Sequence, residues 1–544
     1  MIIKTPRKSL PVDAPLLHEG HKRPVTRREF LGAGLVTGGA AVWTPNLMGL
    51  LLPRSAQAAQ TPSECGINSG AADGVPFICF DLGGGANMAG SNVLIGAADG
   101  DQTAKLSTAG YNKLGLPDSM IPGQTDQLNG GDFTNNSFGL LFHSDSAFLR
   151  GMLSRTSVEA RALVDGVVIP NRSDNDTGNN PHNPLYLIAR AKLAAGKKAK
   201  LMELIGTNNS DSGGRSISGT LFMDAEMRPT KISSRNDSVG LVDTGGLKEQ
   251  MNLTDGELKS IAETIALLSG DKVDKTITAD ANANKLVNCA YHKATYNLTS
   301  FNKTQFDPLL DPNIFAGLND VTYATNQTAS LAAIGALTAT DKIFSDTEIT
   351  NTDAFRKTSA VMQMVINRNA GAGAIALGGY DYHDGSRATG ERRDFQAGAA
   401  IGACIEYAHR VSSPVMIYVF TDGSLASNGA VDGSNDGRSK GQWTGDNSST
   451  SASFMLVYNP TQKPTIIKPQ LGYFRTSGSV ETNGTTPGAN NVDALAQMVA
   501  LNYVGLTSAN AGTDFDTWFT DAATGQKHSL GTGLDPLIGF APLV

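Results

Sequence analysis

Short apolar runs recur along this chain, and stretches with helical spacing lie between many of them. Phe77-Ile78-Cys79-Phe80, Leu163 to Ile169, Leu201 to Ile205, Ala374 to Leu377, Val415 to Phe420 and Ser453 to Tyr458 are short, apolar and bounded by turn residues, which predicts strands. Val415 to Phe420 is apolar on both faces, so it belongs inside a parallel sheet. Helices are expected over Ser146 to Arg161, from Asn183-Pro184 to just before Gly196, and over Asp353 to Arg368, Asp394 to Arg410 and Val492 to Tyr503. Pro184 suits a first helical turn, where its missing N–H is not needed. The order strand, helix, strand from 163 to 205 predicts a crossover and parallel pairing. The pattern is that of an α/β protein with a largely parallel central sheet.

Residues 207 to about 350 lack this alternation and are rich in Ser, Thr, Asn and Asp. One helix is well marked there: Thr254 and Glu257 form a capping box, and Leu258, Ile261, Ile265 and Leu268 follow at helical spacing. The stretch reads as an insertion or cap over the sheet, between a first part of the core at 59–206 and a second at 351–544. No fixed period repeats, which excludes a solenoid.

Charge separates the first 58 residues from the rest. They hold eight Lys and Arg against three Asp and Glu, leaving 36 against 48, a net of −12. Such a body repels nucleic acid and anionic lipid. Thr26-Arg27-Arg28-Glu29-Phe30-Leu31, a weakly apolar Gly/Ala-rich stretch to Leu52 and Ala56-Gln57-Ala58 fit a twin-arginine signal peptide over 1–58. Gly32, Gly34, Pro45 and Asn46 argue against an uncleaved anchor, because they lower the gain from membrane insertion. No other run of about 18 apolar residues occurs, so the mature chain is expected to have no stable membrane span. The implied partner is the twin-arginine export machinery, and the implied location is periplasmic or secreted. Four cysteines allow three pairings; Cys79 and Cys404 sit in apolar patterns, which favours Cys65 with Cys289.

Candidate chemistry lies at strand ends. In Gly378-Gly379-Tyr380-Asp381-Tyr382-His383 the glycines let the backbone turn, and alternation brings Asp381 and His383 out on one side. Phe77 to Phe80 ends at Asp81 and the triplet Gly83 to Gly85, and Val415 to Phe420 ends in Thr421-Asp422-Gly423. If these strands are parallel neighbours, Asp81, Asp381, His383 and Asp422 gather where ligands bind in open α/β sheets. Carboxylates held close together repel, so a divalent cation is their natural partner. Mixed Asp/His ligation suits zinc, manganese or iron, whereas Asp with Asn carbonyls suits magnesium or calcium. The alternative is that each Asp caps the helix after its strand. The glycine triplet lacks the strand and acidic residue of a dinucleotide site, which excludes a Rossmann cofactor.

Phe80-Asp81-Leu82-Gly83-Gly84-Gly85, Gly378 to His383 and Thr421-Asp422-Gly423, in this order behind a twin-arginine peptide, make the chain similar to a known group. It resembles an uncharacterised family of exported bacterial proteins in the alkaline phosphatase and sulfatase superfamily. The resemblance covers most of the mature chain, most closely from 378 to 410 and least across 207 to 350. It implies a three-layer α/β/α sandwich and, in active members, a two-metal ester hydrolase whose Ser or Thr attacks phosphorus or sulfur. Asp381 and His383 match the family's Gly-Gly-aromatic-Asp-x-His segment, which implies metal ligands. Asp422 stands where relatives commonly carry Ser-Glu-Phe-Gly-Arg, Asp446-Asn447-Ser448 where they often carry Asp-His-Gly, and Asn87 where many carry Asp.

The expected metal residues are therefore Asp81, Asp381, His383, Asp422, Asp446 and His182, in a partly degenerate site. Ser173 and Thr177, beyond the strand that ends at Ile169, are candidate nucleophiles, with Arg172 and His182 able to bind an oxyanion. A polar loop held by Asx and Ser/Thr turns is the alternative for that segment. Two functions follow: a metal-dependent hydrolase of phosphate or sulfate esters, or a non-catalytic exported protein whose polar loops bind a partner or glycan.

Overall fold

The computed structural model describes residues 73–543 apart from 174–180, 219–221, 225–226, 323–329, 386, 484–485 and 523, with only scattered positions between 244 and 299. The expected signal peptide, Cys65, Ile265 and Leu268 lie outside the described residues. Two compact units are present. One comprises Asn68–Gly240 with Lys303–Val544, the other Met1–Ile67 with Leu241–Asn302.

The larger unit is built on one sheet of seven strands: β1 Phe77–Gly83, β2 Val164–Pro170, β3 Met202–Gly206, β4 Thr230–Lys231, β5 Ala370–Gly378, β6 Val415–Thr421 and β7 Ala452–Tyr458. Their order across the sheet is β2-β7-β6-β1-β5-β3-β4. The pairs β6–β1, β1–β5, β5–β3 and β3–β4 are parallel, and only β7 runs against its two neighbours. β1 is central and every one of its side chains is buried, as its apolar run requires.

Helices cover both faces. These are α1 Ala147–Leu153, α2 Leu185–Ala194, α3 Asp353–Ile366, α4 Arg387–Arg410 and α5 Val492–Gly505. Phe77, Cys79, Ala372, Ala374, Met416 and Tyr418 share one core cluster with α2 and α5. Gly373 points to the opposite face, where an added Cβ would lie 2.7 Å from Val361 of α3. Asn491 caps α5 by accepting from the amides of Asp493 (3.0 Å) and Ala494 (3.1 Å), which satisfies two otherwise orphaned donors.

Four expectations need correction. β2 and β3 point the same way but are not paired, since β7, β6, β1 and β5 lie between them. The helix expected from Ser146 to Arg161 is two helices, Ala147–Leu153 and Val158–Ala162. Ser154 and Thr156 turn back onto the carbonyls of Gly151 and Met152, and Ser157 caps the second helix, so local side chains compete with continuation. α4 begins at Arg387 rather than Asp394; its first turns are held by buried ion pairs of Arg387 and Glu391, which a search for apolar spacing does not see. The region 207–350 is also not one insertion: 207–240 and 303–350 belong to the larger unit, and β4 extends its sheet.

In the smaller unit the capping box is present. Thr254 N donates to Glu257 at 2.8 Å and Glu257 N to Thr254 Oγ1 at 3.3 Å, with Leu258 and Ile261 packed on Leu253. Cys289 is disulfide-bonded, whereas Cys79 and Cys404 are free and buried. Among the described residues no helix is long and apolar enough to cross a membrane.

Candidate metal centre at the carboxyl rim of the sheet

β1 and β5 end in register, Gly83 opposite Gly378, and the glycines that follow let three loops converge. Gly84 (φ 124°) and Gly85 (φ 112°) occupy backbone that L side chains rarely adopt. A Cβ at Gly84 would lie 2.5 Å from Asp381 N, and one at Gly85 would lie 3.3 Å from Ser424 N. The triplet thus allows the Asp381 and Asp422 loops to close on the end of β1.

Beyond Gly379 the chain alternates. Tyr380 and Tyr382 turn inward and are buried, while Asp381 and His383 turn outward and are partly exposed. Tyr380 donates to the Arg393 carbonyl at 2.9 Å, and Tyr382 donates to Asp394 at 2.7 Å while accepting from Asn87 N at 2.8 Å. These inward anchors fix the register of the outward pair. Asp394 also accepts from Asn92 at 2.8 Å; burial pushes its carboxyl up to about 7 against those hydrogen bonds.

His383 Nε2 lies 2.9 Å from Asp381 Oδ1. A ligand atom of Asp446, from the short strand Gly445–Asp446 that pairs with Leu425–Ala426, completes a group whose donors all lie within 4.8 Å of one another. At 2.9 Å the Asp381 and His383 pair is in direct ion-pair contact, and because two donors at about 2.1 Å from an ion and at right angles to it are roughly 3.0 Å apart, the same spacing is compatible with one ion. One imidazole and two carboxylates suit zinc, manganese or iron, and three protein ligands leave positions for substrate.

Asp81, Asp422 and His182 lie outside that group. β1 runs on past Asp81 to Gly83, so the carboxylate is fully buried within the sheet rather than at its rim. Its Oδ2 accepts from the backbone amides of Arg215 (2.6 Å) and Ser216 (2.7 Å). Burial nevertheless raises its pKa to about 6, and the charge of Asp422 adds to the rise. Asp422 accepts from Gly84 N at 2.7 Å, and Thr421 beside it clasps the same loop through Leu82 O and Ala86 N, both at 2.8 Å. Both acids therefore hold backbone of loops distant in sequence, Asp81 at 215–216 and Asp422 at Gly84, rather than the start of a helix after their own strands.

His182 is fully buried, edge-on to Phe420 at 6.0 Å, and neither ring nitrogen has a hydrogen-bond partner among the described residues. Burial holds its pKa down to about 4, with the nearby Thr421 backbone opposing slightly without hydrogen-bonding geometry. Asn87 is buried and bonds Ser91. Arg172 donates to Ser448 at 3.0 Å, and Ser173 N donates to the Ser448 carbonyl at 3.1 Å, which sets this segment beside the loop carrying Asp446. Thr177 lies outside the described residues.

Sequence reasoning missed two cations at the rim. The Arg215 guanidinium lies over the ends of β1 and β5, where a Cβ at Gly83 would be 2.2 Å from its Nε and one at Gly378 2.6 Å from Nη1. Arg393 lies beside Gly379, 3.0 Å from the position of a Cβ there. Both are exposed, and neither side chain is engaged in an ion pair among the described residues. Gly213-Gly214 stands immediately before Arg215 in the loop after β3, and this glycine pair could have flagged it. No family model, curated protein or solved structure matches the chain.

Proposed function

We propose that this chain is an exported, metal-dependent hydrolase of phosphate or sulfate esters, on a scaffold like that of alkaline phosphatases and sulfatases. The observation that carries the reading is the Asp381, His383 and Asp446 group, set among the loops at the carboxyl ends of parallel strands, with two exposed guanidinium groups nearby. Asp381, His383 and Asp446 would hold the ion, which supplies Lewis acidity toward a phosphoryl or sulfuryl oxygen. Arg215 and Arg393 bind and orient the anionic ester. Ser173 remains the candidate nucleophile because its segment is hydrogen-bonded to the loop of Asp446. The twin-arginine peptide supports a periplasmic or secreted location.

A second reading, a non-catalytic exported binding protein on the same scaffold, is favoured by Asp81 and Asp422 being committed to backbone amides. Metal analysis of the purified protein separates the two, followed by an aryl phosphate and aryl sulfate panel with and without chelator. Hydrolysis that is lost with chelator and in Asp381→Ala and His383→Ala supports the first. Less than about 0.1 equivalent of metal in the parent under any divalent supplement overturns it.

A further inference from the structure

Residues 119–120, 125–129, 133, 145, 433–435 and 438–439 line an open cleft of about 440 Å³ that shares no lining residue with the metal centre. Three of its residues, Phe133 (φ 62°), Arg438 (φ 56°) and Ser439 (φ 56°), hold left-handed backbone without being glycine. Such conformations persist only where the surroundings impose them, and they concentrate where ligands are held. Here Phe133 is stacked on His143 at 5.3 Å, and Arg438 is clamped by Asp145, itself bonded by the buried Lys440.

Its charged groups are already committed. Asp126 accepts from Leu128 N, Asn129 N, Asn129 Nδ2 and Ser144, and Asp145 is shared by Arg438 and Lys440. What faces the cleft with unused hydrogen-bonding capacity is neutral: Ser119, Thr125, Gln127, Asn435 and Ser439 have no side-chain partner among the described residues. Leu128, 60% exposed, adds an apolar contact. Hydroxyls and amides interleaved with aliphatic surface complement a molecule dense in hydroxyls on an apolar ring and carrying no charge. We propose that this cleft binds a neutral glycan.

The test is calorimetric titration of the full mature protein with maltoheptaose, cellohexaose and chitohexaose, against polygalacturonate and a neutral Ser/Thr-rich peptide. At least one neutral oligosaccharide binds, the Gln127→Ala/Asn435→Ala double variant weakens it by about tenfold or more, and Asp381→Ala leaves it unchanged. Both substituted side chains are exposed, and unchanged far-ultraviolet circular dichroism verifies the fold. Binding is read without metal or turnover, so it stands or falls apart from the hydrolase reading. The proposal is overturned if no neutral oligosaccharide binds, if the double variant binds equally, or if polygalacturonate or the peptide is preferred.

Discussion

Asp394 offers a measurable consequence of burying a carboxyl beneath the candidate centre. Its oxygens accept from Tyr382 and Asn92, yet removal from water dominates and its pKa rises from 3.8 to about 7. At 1.36 kcal/mol for each pKa unit, that rise corresponds to roughly 4 kcal/mol of linkage. The folded state holds the proton more tightly than the unfolded chain. The stability this group contributes is therefore complete below about pH 3.8 and is lost as the pH climbs to about 7.

Asp394→Asn keeps the size of the side chain and cannot ionise. The parent should lose about 4 kcal/mol relative to the variant between roughly pH 4 and 8. His143 and His182, both held down to about 4 by burial, act in the opposite direction, and Asp81, raised to about 6, in the same one. All three are common to both proteins and cancel in the difference. The assay is urea denaturation at several pH values, followed by tryptophan fluorescence and circular dichroism, with coincident transitions required. Parallel pH profiles, diverging by less than about 1 kcal/mol, would refute the assignment of a buried, proton-binding carboxyl at 394.

Two further outcomes follow from the rim. Gly84→Ala places a Cβ 2.5 Å from Asp381 N at a φ of 124°, so it should destabilise by about 2 kcal/mol or more and lower metal occupancy. Thermal unfolding with metal analysis checks both, and a variant as stable and as fully loaded as the parent contradicts the close approach. On the proposed ester-hydrolase reading, Arg215→Ala would remove a charge-assisted contact to the ester, so kcat/KM should fall by about 10- to 100-fold, with Arg215→Lys restoring part of it. Equal kinetics in parent and both variants would take Arg215 out of the substrate site.

The elements were largely legible. Apolar runs fix strands because a central strand buried on both faces must be mostly apolar, and six of the seven sheet strands stand where such runs stood. β4, two exposed residues long, carries no such pattern. The first turns of α4 were hidden because the residues buried there, Arg387 and Glu391, are charged and tolerate burial by pairing with each other and, for Glu391, with Arg150 and Lys440.

The candidate site was legible only in part. Alternation in the chain itself puts Asp381 and His383 on one side, whatever the rest of the molecule does. Whether Asp81 reached the rim depended on how far β1 continued, and hydrogen bonding to β5 and β6 extends it to Gly83 and buries the acid. The sequence by itself determined the α/β class, the strands and the Asp381 and His383 pair, because these depend on local periodicity. Only the tertiary structure decided that Asp446 joins them, that Arg215 overlies two strand ends, and that Asp81 and Asp422 hold backbone. Those relations join residues far apart in the chain, and a local pattern carries no information about which loops share a sheet edge.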